Sequence, residues 1–307
     1  MTQRHRLALA LLALAAAGPA AAQTLYDQGP PQSRIVHRSL VALRYNPIGF
    51  IYDGRIGYRR RLFLSDSLAM RDNFVGGGLA ANLSPAFLRI GPYVEVAPMS
   101  MVTFYASFQL VSHFGNFDLL QSFPSPLSEF SDDLLEERED EYGAMGSELT
   151  FGVDLQAKAG PVVLRSRARF VLGNMDLRTG DRVYYDRLYD VLAPDGGWFF
   201  TNDLDVMYVS PDRHIAAGLR YTATLPLYGT RHYVLGEPEE HDNGLHRLGP
   251  LLSYTFFTRD GAAFNSPSVF LLVQWWLDHR YRTGQETSQG LPLIGLGFQF
   301  YGDLLAF

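Results

Sequence analysis

Arg165, Arg167 and Arg169 stand at alternate positions of "VVLRSRARF", and the run before them carries Glu148 and Asp154. A later run offers Asp203 and Asp205, and the one after it Arg220. On extended backbone, side chains two apart share a face, so these residues amount to a row of guanidinium groups with carboxylates near it. Such a set can form a charged eyelet that selects solutes. It can equally be a salt-bridged filling whose members neutralise one another. Residue type alone leaves both open. Other groups fit their chemistries less well. His241, Asp242 and His246 in "EPEEHDNGLH" are metal-ligand types, but their spacing matches no zinc pattern. Ser112 and His113 are neighbours, and neighbours on a strand point to opposite faces, so they form no dyad. The acidic run "SEFSDDLLEEREDEYG", 128–143, reads as a solvated loop in which Ser131, Asp132 and Asp133 cap a short helix; binding of divalent cations or of a partner protein is the alternative.

The elements that hold the arginine row read as strands. Leu149, Phe151, Val153 and Leu155 alternate with polar residues, and Val162, Leu164, Ala168 and Phe170 alternate with the arginines. A two-residue turn at Ala159-Gly160 places Asp154 opposite Arg165 and Phe151 opposite Ala168. Period-two runs bounded by turn residues give about twelve strands, within a range of ten to fourteen. They lie at roughly 37–45, 55–64, 73–83, 86–97, 101–112, 147–158, 161–172, 199–209, 214–226, 247–258, 267–278 and 291–301. The first two are weakly defined, and Pro92, Pro250 and Pro292 fall inside three others. Connections alternate between short ("PMS", "AG", "SPDR") and long (113–146, 173–198, 227–246, 279–290), with "TRDGAAFNS" and "LSP" as modest exceptions. A soluble sandwich has no physical reason to keep its long loops at one end, whereas a membrane barrel has short periplasmic turns and long external loops. Most of the strands are also long enough to cross a hydrocarbon layer. Tyr184, Tyr185, Tyr189, Trp198, Phe199, Phe200, Trp275, Trp276 and Tyr281 cluster near strand ends, where interfacial aromatic belts sit.

The first residues carry Arg4 and Arg6, then an apolar stretch from Leu7 to Ala17, then "GPAAA", which is the pattern of a secretory signal peptide cleaved after Ala22. Two of the 26 basic side chains lie in that segment and none of the 32 acidic ones, so the remainder is more acidic than the whole chain's −6. That balance argues against nucleic acid as a partner, since binding phosphates needs a basic surface. The chain has no cysteine, so neither a lipid-modified N-terminus nor a disulfide framework is available. After the signal segment no apolar run reaches the length of a spanning helix, so membrane insertion requires a closed barrel.

These features, with a last strand "IGLGFQFYGDLLAF" that ends in Phe307, resemble Gram-negative outer-membrane β-barrel proteins. The resemblance extends over the whole chain at the level of architecture. It implies an all-β, transmembrane, antiparallel up-and-down barrel over 37–307, behind a signal peptide (1–22) and an N-terminal periplasmic segment (23–36), in the cell outer membrane. Its implied partners are outer-membrane lipid, lipopolysaccharide and the barrel-assembly machinery that reads the last strand. In that family, alternate residues counted back from the end are apolar; Leu305 and Tyr301 fit and Asp303 does not, which implies a break in parity there. The function expected is a porin-like channel for small hydrophilic solutes, its lumen lined by Glu148, Asp154, Arg165, Arg167, Arg169, Asp203, Asp205 and Arg220. The alternatives are a closed barrel acting through its acidic external loops and, third, a membrane-embedded lipid hydrolase. The histidine-and-serine motif of outer-membrane phospholipases is missing, so no catalytic residue, metal or cofactor is expected.

Overall fold

The computed structural model describes residues 30–114, 120–137, 142–239, 243–283 and 290–307. The expected signal peptide, the first part of the segment 23–36, and His241 and Asp242 of the metal candidate lie outside these residues. Twelve strands form one closed antiparallel ring. In chain order they are β1 (Ser33–Tyr45), β2 (Gly49–Arg60), β3 (Phe74–Leu83), β4 (Phe87–Met99), β5 (Val102–Phe114), β7 (Gly143–Ala159), β8 (Val162–Met175), β11 (Gly197–Val209), β12 (Ile215–Leu227), β13 (Leu245–Thr255), β14 (Asn265–Asp278) and β15 (Leu293–Ala306). Three short strands, β6 (Ser122–Phe123), β9 (Val183–Asp186) and β10 (Val191–Pro194), form a separate small sheet, and α1 (Asp132–Glu137) is a short helix. β1 pairs with β15 along its length, so the ring has no free edge. The barrel thus begins at Ser33, four residues before the expected start.

Alternation decides which face of each strand meets the ring's interior. On β5, Phe104, Phe108 and Leu110 are exposed, while Tyr105, Ser107, Gln109, Val111 and His113 are buried. On β7 and β8, Phe151, Leu155, Val162 and Phe170 are exposed in the same way. The apolar rows face outward and the polar rows inward. A soluble protein would reverse this, and a bilayer demands it.

Within the β7–β8 hairpin the register differs from the sequence expectation by one residue on each strand. Ala159 pairs with Val162, so the turn is Gly160-Pro161, Asp154 lies opposite Arg167, and Phe151 lies opposite Phe170. Gly160 has φ +59°, the left-handed value that a two-residue hairpin turn requires at its first position, and Pro161 follows with its constrained φ. Because both strands shift together, the facing of every side chain is unchanged. β2 starts six residues earlier than expected, because the turn at 46–48 is tight and Asn46 takes up the left-handed conformation (φ 56°).

Pro92 and Pro250 do sit inside strands. Each pairs with one neighbour, β3 or β12, while the ladder to the other neighbour, β5 or β14, is interrupted at that point. A proline lacks the N–H for that side. Pro292 falls just before β15. On β15 the register shifts at Leu304: Leu305 opposes Ile35 and Asp303 opposes Val36. This bulge is the parity break, and it turns Asp303 inward.

The ring's two chain ends share one rim with the turns 100–101, 160–161 and 210–214, although 61–73 and 256–264 on that rim are longer. The other rim carries 115–142, 176–196, 228–244 and 279–292, and it is the external one on the rule of loop length. Gly160 faces open space, so conformation alone makes it glycine. Gly160→Ala is expected to destabilise the folded barrel by about 1 kcal/mol, measured as a lowered urea midpoint in micelles.

Candidate functional site

The arginine row lies on one wall of the interior, and each of its members meets a carboxylate on a neighbouring strand. Asp205 on β11 is directly opposite both Arg165 on β8 and Arg220 on β12, and each donates to it at 2.6 Å. One step along, Asp203 opposes Arg167 and accepts from it at 2.8 Å, while Thr222 Oγ1 donates to Asp203 from β12 at 2.7 Å. Arg169 opposes Gly152 and crosses it to reach Asp154 at 2.5 Å; a Cβ at 152 would meet the Arg169 chain at 2.5 Å. A similar gap serves β2 and β4. Arg59 and Glu95 flank Gly76 and join over it through two hydrogen bonds, at 2.6 and 3.1 Å.

These pairs run sideways between neighbours and do not span the lumen. The space in front of them holds a cavity of about 560 Å³ bordered by Arg38, Asp154, Arg165, Arg167 and Arg220. A second, of about 340 Å³, is bordered by Arg34, Arg38, Arg55, Arg59 and Asp303, and Arg38 lies on both. Rim residues Ser100 and Met101 place these cavities toward the periplasmic end. In the central pair the Arg165 side chain is 41% exposed and that of Asp205 is 0% exposed. In the Arg169–Asp154 pair the order is reversed, 17% against 41%, so a solute in the cavity meets both the Arg165 guanidinium and the Asp154 carboxylate.

The external end is different. β9 and β10 form a hairpin within 176–196, β6 from 115–142 pairs with β9, and Val183, Tyr184, Val191 and Leu192 are fully buried. Below them lie Val111, Val171 and Phe199 of the barrel wall; beside them pack Phe130, Leu135, Tyr228 and Tyr233. The hairpin leaves β8 and reaches β1, with five strands intervening on either side, so it crosses the full width of the ring. There Arg44 donates to the carbonyls of Arg187 at 2.6 Å and Leu188 at 3.1 Å.

Two buried clusters fasten this lid. Arg89 on β4 holds Asp186 at 2.9 Å and Glu148 at 3.3 Å. Arg282, from the loop after β14, holds Asp190 at 3.0 Å and Asp132 at 2.6 Å, and His279 Nε2 donates to the Asp190 carbonyl at 3.2 Å. Ser131 caps α1 through Leu134 N–H at 3.3 Å, and this presents Asp132 to Arg282. Under the hairpin tip is a mostly apolar cavity of about 470 Å³, bordered by Ala42, Ile51, Phe87, Leu188 and Leu272.

Of the eight sequence-predicted residues, seven thus share the β7–β8–β11–β12 wall, and Glu148 belongs to the lid anchor. Ser112 and His113 point to opposite faces, with His113 buried inside. His246 is paired with Tyr221 Oη at 2.6 Å on the outer side of β13. The aromatic belt needs correction: Tyr184, Tyr185 and Phe199 are buried, Tyr189 packs on Phe199 at 4.8 Å, and Tyr281 packs on Phe130 at 4.8 Å. Trp276 lies under Arg282 at 5.1 Å. Only Trp198, Phe200 and Trp275 of that set lie on the outer face, because the lid draws the others into its own core. The sequence signal for the lid is the apolar alternation of "VYYDRLYDVLAP" inside a stretch too long for a simple loop.

A closed ring with an apolar outside, a polar inside and no spare strand edge has one solvent in which it is stable. The chain is a closed membrane-spanning β-barrel. No protein-family model matches the sequence, and no curated protein does. Among solved structures the barrel is similar to the translocator domain of autotransporter NalP from Neisseria meningitidis, with TM-score 0.42 and 9% identity over 88% of this chain and 87% of that one. It is also similar to OccAB1 from Acinetobacter baumannii, with TM-score 0.40 and 7% identity over 91% and 100%. For the NanC porin the TM-score is 0.38, with 9% identity over 88% and 100%. These likenesses are of fold alone.

The lid's fastenings outside the strands respond to acid in one direction. Burial depresses the His279 imidazole, with Asp190 pulling against it and Arg282 adding to it, so the docked residue stays neutral below its ordinary range. Burial would raise the Asp190 carboxyl, but Arg282 and then His279 outweigh it and hold it below the carboxylate range. Both groups have lowered values when docked, so their support is present at neutral pH. It is lost as pH falls, from about 6.5 for His279 and from about 4 for Asp190. Amide protection of 183–194, corrected for intrinsic exchange, is expected to fall between pH 7 and 5, and His279→Gln should remove that first step.

Proposed function

We propose that the protein is a channel for small hydrophilic solutes, with an arginine- and carboxylate-lined lumen and an external mouth closed at rest by the β6–β9–β10 lid. The observation that carries this reading is the geometry of the ion pairs. They are lateral, and they leave cavities in front of them that are bordered by the Arg165 guanidinium and the Asp154 carboxylate, each 41% exposed. A network that only filled the lumen would leave no cavity of about 560 Å³ in front of it. Permeation requires displacement of the lid, whose ionic fastenings differ from the continuous hydrogen-bonded ladders of the wall. The surface-interaction reading is weakened because Asp132 of the acidic run points inward to Arg282.

In a planar bilayer the wild-type barrel is expected to be mostly closed. Arg282→Gln alone should raise the frequency of stepwise openings at least tenfold, since removing one partner of a buried ion pair costs about 3–5 kcal/mol. A silent bilayer from that variant, with β-spectra and heat-modifiable migration intact, would sink the channel reading. In the same variant, changing Arg165, Arg167 and Arg169 together to Gln leaves Asp154, Asp203 and Asp205 short of partners, so the reversal potential should move toward cation preference.

A further inference from the structure

Arg38 and Arg55 are directly opposite each other on β1 and β2, and both face the lumen. Like charges in this position repel, and adjoining strands normally avoid the arrangement. The other lumen arginines of this end each hold a carboxylate: Arg34 is 3.6 Å from Asp303, and Arg59 is 2.6 Å from Glu95. Among the described residues neither Arg38 nor Arg55 has a hydrogen bond or ion pair of that kind. The Arg55 guanidinium lies over the Tyr105 ring at 4.8 Å and near Tyr93 at 5.9 Å, and its Nε is buried with no hydrogen-bond acceptor. The carboxylates whose charges act on them hold other partners: one oxygen of Asp53 accepts from Asn82 Nδ2 at 2.5 Å while its other oxygen is buried without a hydrogen bond, Asp154 pairs with Arg169, and Glu95 pairs with Arg59. Arg38 stands where the two polar cavities meet, and Arg165 borders the same space.

We propose that Arg38 and Arg55 form a binding site for a small oxyanion, a carboxylate- or phosphate-bearing solute whose charge offsets their mutual repulsion. Two guanidinium forks on adjoining strands offer donors to both oxygens of one such group. Tyr93 and Tyr105 hold Arg55 in place through its ring contacts, which leaves its N–H edge for the ligand. The inference deepens the channel reading and rests on it for the route that brings the solute to the site.

The test is calorimetric titration of the folded full-length barrel in detergent at low ionic strength, with citrate and, separately, inorganic phosphate. Wild type should bind at least one of them. Arg38→Gln and Arg55→Gln should each weaken binding by about tenfold or more, as loss of a charge-assisted hydrogen bond does. Arg38→Lys should recover part of it, and Arg60→Gln, on the outer face, should bind as wild type does. Heat-modifiable migration confirms that each variant is folded, and the lysine variants carry the test if a glutamine variant is not. Failure of wild type to bind either anion, or binding unchanged in both glutamine variants, overturns the site. Conductance of the lid-released barrel separates the two readings. Conductance without anion binding removes the site and keeps the channel, whereas binding without conductance keeps the site and removes the channel.

Discussion

The pairing of β1 with β15 is the constraint on which the rest of the molecule depends. In hydrocarbon an unpaired backbone N–H or C=O costs several kcal/mol, so a sheet can stand in a bilayer only when its first and last strands meet. Once the ring is shut, side-chain alternation has only two destinations, lipid and lumen. The sequence need only be apolar at every second residue for the outside to be stable. The inner residues are then released from making a hydrophobic core, and they carry the charges, glycines and tyrosines that a soluble β-protein could not bury.

Within that frame the inner wall is arranged by size as much as by charge. Gly76 lets Arg59 and Glu95 meet across a strand, and Gly152 lets Arg169 lie down toward Asp154. Gly57 leaves room for the Tyr93 ring, whose hydroxyl would stand 2.3 Å from a Cβ there. In each case the missing side chain lets a long neighbour run along the wall and so keeps the centre open. This separates a lined lumen from a filled one at equal charge.

The strands were legible in the sequence because period two is a strong signal when one face meets lipid. All twelve expected segments overlap ring strands, and the inward facing of the arginine row followed from parity once the loop lengths had pointed to a membrane barrel. What was illegible depends on contacts between distant segments. The hairpin register slipped because Ala159-Gly160 and Gly160-Pro161 are both credible turns, and the positive φ of Gly160 selects the second. Tyr184, Tyr185, Tyr189 and Phe199 read as interface residues in the sequence because strand ends and lid cores use the same residue types. The lid strands are only two to four residues long, below the length at which alternation separates a strand from a loop. Arg38 and Arg55 lie in the two weakest strand segments, and their juxtaposition depends on a register that no local pattern specifies.

The lid's attachments have a consequence for how the molecule is made. It springs from the middle of the chain, yet it is fastened to Arg44 on the first strand, Arg89 on the fourth and Arg282 ahead of the last. Those anchors come to their final distances only after the two terminal strands have joined. Closing the seam therefore fixes the ring's width, and with it the distances at which one hairpin can hold all three anchors at once.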